Sequence, residues 1–417
     1  MRKRILTAAV AAATLASGAQ AAGFYLKEQS VVGQGRAFAG SAAGTDGASA
    51  AYFNPAGLIG VENQVELGVH YIKPDVKVTN NGSSVNYPAL LGGGTMVGSR
   101  DSASPYSGKP VPNAHYVHAV NDTNVLGVAI GAPYGFSNDY GADVFNQADH
   151  RKVEFKTLEA TISLARKLSE KTNISVGLVR QSIELDQDKL SSSTLNADGK
   201  LKGDSVDYGY MVGIQHKPSD TTTIGASYRS QVTHTLDGTL GTTPVTAPFQ
   251  LPDIFAAGIA HSISDRTRVY ADATWYGWSA YSTQPIKRKS DSVTLSTVQS
   301  NYDNTMSFGV GIEHDYEDGL TARAGIMVDP TPTNDVDRTT ASPDSDRTWL
   351  TAGLSKKMNE GLTIDAALTH IMADNTQVNK EIKALEVPPF NGASLGFVRA
   401  NVKGSTNIVS LGFRYKF

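Results

Sequence analysis

The chain closes on an unbroken alternation. Val409, Leu411, Phe413, Tyr415 and Phe417 make one face, and Ser410, Gly412, Arg414 and Lys416 make the other. A period of two is the repeat of a β-strand with one apolar side. The same texture begins at Val65/Leu67/Val69/Tyr71 against Glu66/Gly68/His70. It returns at Leu158/Ala160/Ile162/Leu164, Tyr208/Tyr210/Val212/Ile214, Met306/Phe308/Val310/Ile312 and Ile364/Ala366/Leu368. A chain built from such ribbons must either stack two sheets or close into a barrel.

Composition narrows the choice. No stretch beyond residue 25 offers the roughly 20 consecutive apolar residues of a spanning helix. There is no Cys, which excludes a disulfide scaffold. Lys and Arg (37) nearly balance Asp and Glu (40), leaving no basic footprint for nucleic acid. Polarity comes from Gly, Ser, Thr and Asn more than from charge, which argues against disorder. At the start, Arg2, Lys3 and Arg4 precede the apolar run Ile5–Ala16 and the small-x-small site Ala19-Gln20-Ala21. Together these three parts read as a secretory signal peptide over residues 1–21, with a buried first helix as the alternative.

A soluble sandwich buries its apolar faces between sheets. A transmembrane barrel turns them to lipid and keeps small and polar groups inside. Three features favour the barrel: the leader, the aromatic cluster Trp275-Tyr276-Gly277-Trp278 as an interfacial girdle, and a last strand ending in Phe417. Strand starts are expected near 64, 113, 124, 156, 173, 206, 222, 254, 267, 304, 320, 347, 361 and 406. That is an even number, as in bacterial single-chain barrels. Links such as Glu170-Lys171-Thr172, Ser264-Asp265-Arg266 and Asn359-Glu360-Gly361 suit short periplasmic turns. Stretches 73–112, 184–205, 236–253, 279–303, 329–346 and 373–405 suit external loops. Residues 22 to about 60 lack alternation and are rich in Gly and Ala, so a dense irregular segment is expected there.

Several short motifs then fall in order. They are Ala22-Gly23-Phe24 through Gly33-Gln34-Gly35-Arg36-Ala37-Phe38-Ala39-Gly40, Asn54-Pro55-Ala56, Val111-Pro112-Asn113-Ala114-His115-Tyr116, Tyr228-Arg229-Ser230, Leu251-Pro252-Asp253 and Pro343–Leu350. In these the sequence resembles the FadL-type outer-membrane transporters of long-chain fatty acids and other hydrophobic compounds. The resemblance spans nearly all the chain after the leader. It implies an all-β fold: a 14-stranded antiparallel transmembrane β-barrel (63–417) with an N-terminal hatch (22–62) plugging the lumen. It implies a passive transporter in the Gram-negative outer membrane that captures ligand outside, holds it above the hatch and releases it sideways where a strand is kinked. No cofactor, metal or catalytic residue is expected. The expected partners are a hydrophobic small molecule, outer-membrane lipid and lipopolysaccharide, and the barrel-assembly machinery acting on the strand that ends in Phe417. Nucleic acid is not among them, and a monomer is expected.

The resemblance also marks residues. Phe24 is expected near the interior ligand, with an ordinary hatch-core role as the alternative. Asn54, Pro55 and Ala56 are expected to form the hatch motif, against a plain turn before the first strand. Pro133, Tyr134 and Gly135 interrupt an apolar strand, since Pro brings no ladder donor and Gly permits a bulge. They are expected to form the lateral gate or, alternatively, a strand end at the external rim. Asp329 and Arg347 are expected in the lumen as ligand-binding charges, with Asp344 and Asp346 as possible partners of Arg347, or else in a solvated loop network. Fatty-acid carriers hold the carboxylate with basic residues at positions that fall near Leu185 and Val298, and neither is basic. A buried carboxylate needs a charge-assisted partner. Arg180, Arg229 or Arg323 would have to serve, or the cargo is a neutral aromatic or aliphatic hydrocarbon.

Other readings are weaker. Gly33-x-Gly35-x-x-Phe38 lacks the third Gly and a preceding strand, so it is no dinucleotide loop. His115 and His118 are three apart on a strand and face opposite ways, which argues against a shared metal. An outer-membrane lipase would need a Ser–His pair that no motif singles out. A general porin or structural barrel would lack the plug.

Overall fold

In the computed structural model, residues 23–89, 93–188 and 200–417 are described. The expected leader, 1–21, lies outside them. Fourteen antiparallel strands form one closed wall. They are β1 (Gln64–Asn80), β2 (Lys109–Asn121), β3 (Asn124–Gly131, resuming as Gly135–Asp139), β4 (Lys152–Lys167), β5 (Thr172–Asp188), β6 (Leu201–Ser219) and β7 (Thr222–Arg229, resuming as Val232–Leu240). There follow β8 (Thr243–Leu251, resuming as Ile254–Ser262), β9 (Thr267–Tyr276), β10 (Thr305–Asp315), β11 (Leu320–Asp329), β12 (Arg347–Lys357), β13 (Leu362–Ala373) and β14 (Ser394–Lys416). Each strand pairs with its sequence neighbour. β14 closes on β1 from Gln64↔Lys416 to Asn80↔Ala400.

Exposure decides between barrel and sandwich. On β14, Val409, Leu411 and Phe413 are 56%, 43% and 43% exposed, whereas Ser410 between them is 3% exposed. On β1, Leu67, Val69 and Tyr71 face out while Glu66 and His70 are buried. The apolar face points away from the protein, as lipid contact requires.

Strand starts fall close to expectation except those of β8, which begins at Thr243 and not near 254, and of β14. β14 begins at Ser394, not near 406, because its upper part ladders with β1 as far as Ala400 and with Thr376–Lys383 from Val402 back to Ser394. Stretch 236–253 is a hairpin extension rather than an open loop, turning at Gly241, whose φ of 59° suits glycine. The girdle expectation at 275–278 is corrected. Period two turns Trp275 outward and Tyr276 inward, and the chain breaks at Gly277. Tyr276 and Trp278 are therefore buried in the lumen.

The hatch fills the barrel in place of a soluble core. Ser30 caps the short helix Val31–Gln34 by accepting from Gly33 N. Arg36 is 1% exposed; it pairs with Asp46, donates from Nε to Ala39 O at 2.6 Å and lies over the Tyr270 ring at 4.2 Å. A Cβ on Gly57 would sit 2.1 Å from Gly44 O, so that crossing of backbones admits only glycine. Polar side chains tie hatch to wall: Gln34 donates to Thr369 Oγ1 at 2.9 Å, and Gln215 donates to Ala43 O at 2.8 Å. Beneath the hatch, Glu313 is shared by Arg268 and Arg323.

Breaking a buried pair by removing one member costs about 3–5 kcal/mol. Arg36→Met is therefore expected to loosen the hatch while the barrel stays folded. Cells carrying the variant should become sensitive to a large polar antibiotic. Heat-modifiable migration on gels should remain that of the parent. Unchanged sensitivity would show that the Arg36 pair does not hold the plug.

Candidate ligand chamber and wall break

The hatch begins inside an aromatic cluster. Phe24 is 1% exposed, and its ring centroid lies 4.8 Å from Trp278, 5.1 Å from Tyr281 and 5.4 Å from Phe155. Phe136, Phe249, Tyr134 and Tyr302 complete the ring of contacts. The side chains come from the upper parts of β3, β4 and β8 and from the segments after β9. Alternation on those strands turns one residue in two into the lumen. Ile183, Leu236 and Leu251 extend the apolar wall. These mostly edge-to-face contacts pack Phe24 into an apolar cluster against the inner wall.

One side of the hatch start is charged. Arg347, at the upper end of β12, lies 3.4 Å from Asp329 and 3.3 Å from Asp344. None of its three guanidinium nitrogens makes a hydrogen bond among the described residues. Asp344 also accepts from Gly23 N at 2.9 Å and from Thr331 Oγ1 at 2.6 Å. Burial pushes the Asp344 carboxyl up, against the opposing pull of Arg347. Asp346 instead accepts from Thr331 N.

The wall is interrupted next to Phe24. β3 pairs with β2 only between Ile130↔Ala114 and Asn124↔Asn121, then breaks at Ala132-Pro133-Tyr134. Its continuation from Gly135 pairs with β4 alone. The hatch covers the break from inside: Leu26 N donates to Pro133 O at 2.6 Å, Gly135 N donates to Phe24 O at 3.0 Å, and Tyr25 bridges Tyr134. Across the gap, β2 carries Pro110 and Pro112, which bring no N–H. The break thus joins Phe24, Pro133, Tyr134 and Gly135 in one place.

The hatch motif sits elsewhere. Asn54 accepts from Ala56 N and, with Pro55, starts the 3₁₀ turn Pro55–Leu58. Its amide donates to Ala42 O at 2.7 Å, Ile214 O at 3.0 Å and Ala226 O at 3.3 Å, which ties it to β6 and β7. Leu58 reaches β3 near Gly127, below the break.

The basic residues proposed for a carboxylate are otherwise engaged. Arg180 faces outward. Arg229 pairs with Glu159 at 2.6 Å and donates to Tyr52 O. Arg323 is held by Glu313 and Ser355. Leu185 and Val298 pack on the aromatic cluster. Lys27, buried beside the chamber, carries no motif and alternation does not govern its segment, so the sequence does not single it out.

Residues 12–417 match the family described as outer membrane protein transport protein (OMPP1/FadL/TodX). The chain belongs to this family. The long-chain fatty acid transport protein of Escherichia coli O6:H1 (strain CFT073) is 26% identical over 416 residues, spanning 87% of this chain and 90% of that protein. Outer membrane protein P1 of Haemophilus influenzae (strain Rd) is 24% identical, spanning 89% and 90%. Among solved structures, a Pseudomonas aeruginosa FadL homologue superposes with a TM-score of 0.82 at 22% identity, over 95% of this chain and 100% of that one. The Pseudomonas putida toluene transporter TodX gives 0.62 at 16% identity, over 89% and 94%. This family member is a transport protein of the Gram-negative outer membrane.

Asn54→Ala removes the amide that joins hatch to wall. An unmade buried hydrogen bond costs about 1–3 kcal/mol. Trypsin should then cut after Lys27 or Arg36 in the purified barrel faster than in the parent, with strand content unchanged by circular dichroism. Equal cleavage rates would remove Asn54 from the set of anchors.

Proposed function

We propose that this protein is a passive transporter of long-chain fatty acids or related hydrophobic compounds. Ligand is captured on the external apolar surfaces, enters the aromatic chamber by displacing Phe24, and leaves sideways through the break at Pro133-Tyr134-Gly135. The observation that carries this reading is the backbone bridge between hatch and break. The same three residues that plug the chamber, Phe24 to Leu26, also cover the gap in the wall. Displacing one uncovers the other. Burial of apolar surface, at about 25 cal/mol per Å², drives entry without ATP.

Asp329 and Arg347 serve as the polar end of the chamber, and Asn54-Pro55-Ala56 anchors the hatch that must hold while Phe24 moves. Residues 1–21 act as a removed leader, 22–62 as the hatch and 63–417 as the barrel. Outer-membrane lipid and lipopolysaccharide contact the apolar belt, the assembly machinery engages the strand ending in Phe417, and the protein works as a monomer. Neutral hydrocarbons are the second reading, favoured by the apolar side chains of Leu185 and Val298 on the cluster.

The chain has no Cys, so a single pair can be introduced cleanly. Tyr25→Cys with Tyr134→Cys places two thiols on a bridged pair, within reach of a disulfide. Oxidised cells should lose uptake of radiolabelled oleate and of toluene, and dithiothreitol should restore it. Undiminished uptake in the cross-linked protein would defeat the lateral route.

A further inference from the structure

Lys27 is a buried cation that makes no ion pair among the described residues, and the carboxylate lining its cavity is that of Asp272. The Lys27 side chain is 7% exposed. Its ammonium reaches only Thr274 Oγ1 at 3.4 Å, Ser307 Oγ at 3.5 Å and Met327 Sδ at 3.6 Å, all long and uncharged. No carboxylate of the described residues lies within ion-pair distance of it. An ammonium removed from water and left without an anion is costly, and such groups are normally paired.

The surroundings show where a partner would sit. Lys27 lines a cavity of about 40 Å³ with Tyr25, Tyr52, Arg229, Asp272 and Thr274. That volume exceeds the roughly 10–15 Å³ needed for one water and suits a small polar head. The other charges are already satisfied. Arg229 is paired with Glu159. Asp272 accepts from the backbone amides of Gly40 and Ala42, one on each carboxylate oxygen. On the far side of the hatch start, Arg347 is flanked by Asp329 and Asp344. Arg347 also keeps guanidinium nitrogens without hydrogen bonds, but it sits between two carboxylates, whereas Lys27 has none within ion-pair distance among the described residues.

The cavity adjoins the aromatic cluster. Tyr25 and Ile254 belong to both. Tyr25 and Lys27 are two apart in an extended stretch and face the same side. A ligand whose tail replaces Phe24 among the rings would bring its head past Tyr25 to the ammonium.

We propose that Lys27 is the head-group subsite of this transporter, holding the carboxylate of a long-chain fatty acid. This rests on the reading of the aromatic chamber as the ligand site and deepens it. It places the cation on the hatch, where it travels with the segment that must move, instead of on the wall strands, where Leu185 and Val298 are apolar. The selected cargo is then a monoanionic amphiphile, and a neutral hydrocarbon of the same length binds more weakly.

The test compares oleate with methyl oleate, which keeps the chain and removes the charge. Binding of each to the purified full-length barrel in detergent is measured for the parent, Lys27→Met and Lys27→Arg, with heat-modifiable migration as the check on folding. Losing one charge-assisted contact should weaken oleate about tenfold in Lys27→Met and leave methyl oleate within about twofold. Lys27→Arg should keep most of the oleate affinity. Unchanged oleate binding in Lys27→Met, or equal weakening of both ligands, overturns the assignment. If the parent binds methyl oleate as tightly as oleate, the chamber stands as the ligand site and Lys27 does not. If the parent binds neither, the transport reading falls together with it.

Discussion

Everything in this molecule depends on backbone hydrogen bonds that have no substitute in lipid. A strand in the hydrocarbon layer must pair on both edges, since each unpaired N–H or C=O costs several kcal/mol there. The ladder between β1 and β14 supplies the final pairing and removes the last free edge. Because the wall is made by the main chain, its side chains are free to differ. Outside they need only be apolar, and inside they can be small, polar or charged.

That freedom explains the hatch. A barrel of this size leaves a lumen too wide for its own side chains to fill, and residues 23–62 occupy it with buried polar groups that meet partners on the wall. Gln34, Asn54 and Gln215 make hydrogen bonds between the two, while Arg36 and Asp46 stiffen the plug from within. Glycine at 44 and 57 lets the hatch backbones cross at contact distance. The plug is thus fitted by polar matching together with apolar contacts such as Phe38 on Trp349 and Leu58 near Val117, and the aromatic cluster lies above it.

Much of the wall was legible in the sequence because period two is a direct image of a strand with unlike sides. The starts of β1, β3, β7 and β9 fall where alternation, read together with the family resemblance, expects them. The upper half of β14 was not legible, since Leu395, Phe397 and Val398 break the period of two and its pairing with Thr376–Lys383 carries no signal in the sequence. Tyr276 and Trp278 misled for a related reason. An aromatic pair at a strand end looks the same whether it meets the membrane interface or fills the lumen, and only the break at Gly277 decides. Within the site, Pro133 and Gly135 marked the break by their chemistry, and the motif around Asn54 marked the plug. Lys27 left no trace, because its meaning lies in what is missing around it.

Pro110 and Pro112 stand on β2 opposite the interruption in β3, while the same stretch remains laddered to β1. Proline is tolerated in a sheet where its nitrogen faces away from a pairing partner, so both missing donors belong to the side toward the gap. The doorframe therefore offers oxygen atoms and no matching hydrogens. A full antiparallel ladder between β2 and β3 is unavailable at Pro110 and Pro112, whatever the salt or acidity of the medium. The interruption beside them is thus written into the covalent chain, as two imide nitrogens that carry no hydrogen.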